Sequence, residues 1–242
     1  MPTEHANEDR RPGRALVTGS SSGIGMAIAG RLLDDGWRVT GFDVAPPSLT
    51  QPAFAPVRVD LTDAAATAAA TSALCATGAV DALVHAAGVL RVGALGKLDD
   101  GDGVLMWRVH VGAATVIANV AVPAMMAAGH GRVVLLGSRV AQGVAGRSQY
   151  AATKAALIAL AKSWAAEAVA SGVTVNVVSP AATQTAMLDD PARQSVAPKV
   201  PPLGRLIRPD EIAALTAFLL SADAAAITGQ DIQICGGSSL FR

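Results

Sequence analysis

Two hydrophobic patterns alternate along the chain. Short apolar runs such as Ala15-Leu16-Val17 and Val133-Val134-Leu135-Leu136 suit strands buried on both faces, and longer stretches between them place apolar residues at helical spacing. The runs predict strands near 14–18, 38–43, 57–60, 81–86, 132–137, 173–178 and 230–234. The spacing predicts helices near 24–35, 63–76, 102–128, 149–171 and 209–221, with Gly36 closing the first. Strand and helix in regular alternation imply an α/β protein: a doubly wound parallel sheet of about seven strands with helices on both faces. Residues 1–13, polar and proline-bearing, are expected to be a disordered tail, and 14–242 a single domain. Residues 109–131 hold no Asp, Glu, Lys or Arg, but they carry His110, Asn119, Pro123 and His130, which suits a buried crossover helix better than a membrane span.

Composition narrows the picture. A chain of 242 residues is long enough to bury a large core. Its formal net charge is zero, so no basic face suggests nucleic acid or an anionic membrane as a partner. Two cysteines, Cys75 and Cys235, make no disulfide framework and read as isolated thiols in a reducing cytosol. No Cys/His cluster has metal-ligand spacing, and none of the first fourteen residues resembles a secretory leader, so a metal-free cytoplasmic protein is expected.

The chemistry lies in two motifs. Thr18-Gly19-Ser20-Ser21-Ser22-Gly23-Ile24-Gly25 joins the first strand to the first helix. There the glycines admit a pyrophosphate to the backbone and the helix N-terminus offers free N–H groups, so Gly19, Ser21, Ser22, Gly23, Ile24 and Gly25 are candidate nucleotide contacts. Alone, such a turn would also serve a methyltransferase or a purely structural bend. Asp43 ends the second strand, where a carboxylate would accept ribose hydroxyls and repel a 2′-phosphate; with Ser22 uncharged, NAD is expected over NADP. In the second motif Tyr150 and Lys154 share one helical face, and a nearby ammonium lowers a phenol's pKa toward neutrality. Ser138 ends a strand, at the sheet rim where ligands of open α/β sheets bind.

With these residues the chain resembles the short-chain dehydrogenase/reductase family nearly end to end. Thr18–Gly25 is similar to its cofactor loop, Asp60-Leu61 to its adenine contact and Ala86-Ala87-Gly88 to its Asn-Asn-Ala-Gly element. Ser138, Tyr150 and Lys154 fall on its catalytic trio, and Pro180 to Thr185, including Thr183, on the segment that holds the nicotinamide carboxamide. The resemblance implies a single-domain Rossmann fold that binds NAD and interconverts a secondary alcohol and a ketone on a small organic substrate by hydride transfer. It also implies a short substrate lid near 186–201, and subunits paired through the helices near 102–128 and 149–171 as a homotetramer or homodimer. His110 stands where the family usually has a relay asparagine, either as a proton relay or as a buried structural residue. His85 replaces the first asparagine of its element, Ala181 a glycine, and Cys235 an aspartate. These departures keep a second reading open: a catalytically impaired nucleotide-binding homologue. Arg91, Arg139 and Arg147 flank the expected pocket, each a solvated loop arginine or an anchor for a carboxylate or phosphate. Ala86 to Gly93 also looks locally like dehydrogenases of the dihydroxybenzoate siderophore pathway, a likeness too short to assign a substrate.

Overall fold

A computed structural model describes residues 13–188 and 199–240. Strands β1 (Arg14–Thr18), β2 (Arg38–Asp43), β3 (Phe54–Arg58), β4 (Ala82–His85), β5 (Gly131–Leu136), β6 (Val173–Pro180) and β7 (Asp231–Ile234) form one sheet in the order β3-β2-β1-β4-β5-β6-β7. Every pairing is parallel. Such strands are covered on both faces, so β5 and β6 are buried at every position. Helices α1 (Gly23–Asp34) and α6 (Pro209–Leu220) cover one face, packing Ile28, Leu32, Ile212 and Leu219 onto Val17, Val84 and Val134. The other face carries α2 (Ala64–Ala76), α3 (Asp100–Trp107), α4 (Ala113–Ala127) and α5 (Ser148–Ala168), with Ile117, Met125 and Leu157 packed onto Leu16, Leu83 and Leu135.

The order of winding reverses between β1 and β4, which lie side by side with Thr18 opposite His85. Chain leaving β1 and chain leaving β4 turn to opposite faces there, and the gap between them is where open α/β sheets bind ligands.

Three elements depart from the pattern read in the sequence. The third strand runs over Phe54–Arg58 instead of 57–60, because it is the outermost strand in pairing with β2. Pro56, which argues against a strand in mid-sheet, is tolerated at an edge. The helix expected over 102–128 starts earlier, at the Asp99 cap whose side chain accepts the Asp102 N–H, and is broken by a π turn at Arg108–Gly112. The helix expected over 149–171 ends at Ala168, and a 3-10 turn follows to Gly172 with φ 74°. The continuous segment Asp100–Ala127 is long and apolar enough to cross a membrane, and 56% of its apolar window is buried in this fold. Most of the tail expected at 1–13, and the part of the lid expected near 186–201 that spans 189–198, lie outside the described residues.

Candidate active site

At the switch point the first turn is shaped by glycine. Gly19 has φ 69°, and a Cβ there would sit 2.8 Å from the Ala87 Cα, so the two loops touch backbone to backbone. A Cβ on Gly25 would strike the Gly19 carbonyl. Among the described residues no side chain caps the N-terminus of α1 and no acid stands in its first turn, which leaves its N–H groups to an anion. Asp43 stands beside the turn, each carboxylate oxygen accepting one backbone N–H at 2.9 Å, from Ser21 and from Ala45. Two acceptor positions remain for ribose hydroxyls. Such an arrangement fits a dinucleotide.

Thr18, the last residue of β1, ties the two loops together. Its Oγ1 accepts the N–H groups of Ala86 (3.1 Å) and Ala87 (3.0 Å), and its hydroxyl donates to His85 Nδ1 at 3.0 Å. His85 Nε2 then donates to the Val109 carbonyl at 3.1 Å, inside the π turn where the regular helix ladder is interrupted. Burial, with the Lys154 cation nearby, pushes the His85 pKa down to about 4, so the ring is neutral with its proton on Nε2.

His110 carries the opposite tautomer. Its Nε2 accepts the Val89 N–H at 3.0 Å, so its proton sits on Nδ1, which donates to Thr153 Oγ1 at 2.8 Å. Thr153 in turn donates to the Tyr150 carbonyl at 2.9 Å. The ring meets Tyr150 edge to face at 5.5 Å between centroids. Burial, then the cations of Lys154 and of any protonated His85, hold its pKa well below the ordinary histidine value.

Lys154 is buried and donates to the Leu136 carbonyl at 2.7 Å, with its Nζ 5.8 Å from the centre of the Tyr150 ring. Burial pushes its ammonium down to about 7. Ser138 Oγ accepts the Val140 N–H at 3.2 Å, which turns the hydroxyl toward the cleft and leaves its proton to donate.

A cleft of about 870 Å³ joins these parts. It is lined by Gly19, Ser22, Gly23, Ile24, Gly25, Asp43, Asp60 and Leu61 at one end and by Ser138, Tyr150 and Lys154 at the other. Ala86, Ala87, Gly88, Pro180, Thr183 and Thr185 lie along its walls. Two expected contacts do not line it. Ser21 turns its N–H and hydroxyl onto Asp43 and Ala45, and His110 lies behind the wall. Arg139 and Arg147 line the cleft; Arg91 does not, because Asp102 holds its guanidinium at 3.4 Å. Thr153, and the bonding role of Thr18 within its motif, are the links that motif reading missed: each is a small hydroxyl whose importance depends on partners distant in sequence. Among the described residues no cluster of His, Cys, Asp or Glu could hold a metal, and both cysteines are free.

Known proteins resemble the chain along most of its length. Residues 19–239 match a family model described as enoyl-(acyl carrier protein) reductase. The chain is 40% identical over 238 residues to 2,3-dihydro-2,3-dihydroxybenzoate dehydrogenase of Escherichia coli K12, covering 93% of this chain and 96% of that protein. It is 36% identical over 236 residues to the 3-oxoacyl-[acyl-carrier-protein] reductase FabG of the same organism, covering 92% and 96%. A 3-oxoacyl-(acyl-carrier-protein) reductase from Agrobacterium tumefaciens C58, solved with NADP bound, superposes with a TM-score of 0.84 at 30% identity over 94% of both chains.

Proposed function

The chain belongs to the short-chain dehydrogenase/reductase family, and we propose that within it the protein is an NAD-dependent cytoplasmic oxidoreductase interconverting a secondary alcohol and a ketone on a small organic substrate. The observation that carries this reading is the shared cleft: Ser138, Tyr150 and Lys154 open onto the same space as the glycine turn and Asp43.

In oxidation, the Tyr150 phenolate takes the hydroxyl proton as the carbonyl forms. Ser138 donates a hydrogen bond to the same oxygen and steadies its charge. Lys154 favours the phenolate through its positive charge and can reach a ribose hydroxyl with a second N–H. Tyr150, Lys154 and the segment Pro180–Thr185 would hold a nicotinamide, which would supply the acceptor for the hydride of the alcohol carbon, and reduction would run the same transfers backward. Gly19, Gly23, Ile24 and Gly25 would cradle the pyrophosphate, and Asp60 and Leu61 would flank the adenine. His110 and His85 act as positioning residues, fixing the walls of the cleft.

The choice of NAD rests on charge. Asp43 lines the cleft beside the glycine turn, whereas Arg139 and Arg147 are close in the chain to Ser138 and Tyr150, and Lys154 donates to the Leu136 carbonyl. A 2′-phosphate would meet the Asp43 carboxylate, at a cost on the order of 1–3 kcal/mol. NAD should therefore bind more tightly than NADP in a titration of the purified protein. In the same assay Tyr150→Phe should lower turnover by about 10²–10⁴ and leave NAD affinity in place. Substantial turnover by that variant would remove Tyr150 from its role, and tighter NADP binding would remove Asp43 from its own.

A further inference from the structure

The reacting end of the cleft holds more positive charge than hydride transfer uses. Arg139 directly follows Ser138 and opens the 3-10 turn Arg139–Gln142. Arg147 sits three residues before Tyr150, at the N-cap of α5. Each guanidinium is thus one short step along the chain from a reacting group, and both line the cleft. Among the described residues neither has an acidic partner, and the Arg147 Nε is buried without any hydrogen bond. Arg91 shows the contrast: its charge is answered by Asp102. The acids that line the cleft are Asp43 and Asp60, and both are engaged, the first by two backbone amides and the second by Thr62.

A half-buried cation beside a second cation is an unfavourable arrangement on its own. Burial pushes the Arg147 pKa down, Tyr150 opposes that, and Arg139 adds to it. The fold nonetheless fixes the residue: Gly93 bridges Arg147 in parallel register, and the Gly93 N–H donates to the Gly146 carbonyl at 3.0 Å. The surrounding wall is hydrocarbon, from Leu90, Val140, Val144 and Met187. We infer that the substrate is a small organic acid, whose carboxylate is gripped by Arg139 and Arg147 while its apolar body rests on this wall and its hydroxyl or keto group meets Ser138 and Tyr150. Two planar forks facing one carboxylate supply charge-assisted, directional hydrogen bonds, which fix which carbon faces the cofactor.

This inference rests on the oxidoreductase reading, so its test uses one probe that needs no turnover. Benzoate and benzamide have nearly the same shape and differ in charge. Calorimetric titration of the NAD-loaded protein should show benzoate binding at least about tenfold more tightly than benzamide. Arg139→Gln and Arg147→Gln should each remove about tenfold of that preference and leave benzamide affinity unchanged. Arg147→Lys, which keeps the charge without the fork, should keep part of it. With turnover as the readout, 3-hydroxycyclohexanecarboxylate should be oxidised with a KM at least about tenfold below that of its amide, at similar kcat. Equal binding of benzoate and benzamide by the parent protein overturns the inference. So does a loss in Arg147→Gln that falls equally on acid and amide, which would make that arginine a support for Tyr150 alone. A preference for an acyl chain on an acidic carrier protein over the free acid would overturn it as well. Failure of all alcohols to turn over, with benzoate still held by the arginines, would instead overturn the oxidoreductase reading.

Discussion

Single residues in this site are defined by what their hydrogen atoms are committed to. His110 illustrates this best. The sequence places it where a relay residue is expected, yet its two ring nitrogens are taken up by Val89 and Thr153, 21 and 43 residues away along the chain. Those partners are set by the tertiary fold, so no local reading could supply them. With its pKa held well below the ordinary value, His110 stays neutral through the working range and contributes no rate limb near pH 6.5. His110→Asn, which can still accept from Val89, should keep most activity and the parent pH profile of kcat/KM. His110→Ala strands a buried N–H and should cost about tenfold in kcat/KM. A limb near pH 6.5 in the parent that vanishes in the asparagine variant would sink this positioning role and restore the relay. Gly19, Asp43, Ser138, Tyr150 and Lys154 were legible because their chemistry is carried by residue type and spacing within one element or turn.

At the scale of elements, apolar runs located the strands other than β3, and errors arose where a neighbour overrode the local rule. Pro56 is acceptable only because β3 is an edge, a fact of sheet order. The π turn at Arg108–Gly112 was not legible in the sequence, because the long apolar stretch runs on through it. Its Val109 carbonyl is satisfied by His85, and the burial of that ring, which this bond only partly offsets, has a measurable cost in acid. The native His85 pKa is about 4, against 6.5 unfolded. Between those values the unfolded chain binds a proton that the native protein does not, so stability falls as pH drops from 6.5 toward 4. That loss amounts to roughly 3 kcal/mol, and above pH 6.5 this residue contributes no slope. His110 acts in the same direction. Urea midpoints at about pH 7 and about pH 4.5 should therefore converge in His85→Asn relative to the parent. An unchanged gap between the two midpoints would show that the ring is not neutral in the fold.

Over the whole molecule, the doubly wound sheet was legible from alternation alone, but the outer surface was not, since helical spacing separates in from out without saying what covers the outside. Val104 and Trp107, one turn apart on α3, are each 50% exposed. On α5, Ala152 and Ala159 face outward and would let another helix approach closely. These surfaces support the proposed pairing of subunits through α3–α4 and α5. Light scattering should return the mass of a dimer or tetramer, and Trp107→Glu should reduce it; a monomeric parent would reject the pairing. The adjacency of β1 and β4 also governs timing. Lining residues run from Gly19 to Leu240, and the cradle exists only once β1 has closed against a strand separated from it by β2, β3 and α2. Closing so long a loop is slow and gains nothing until it is complete. A nascent chain thus remains blind to its cofactor at least until β4 has left the ribosome and closed against β1, and a refolding chain should recover cofactor binding no earlier than that pairing.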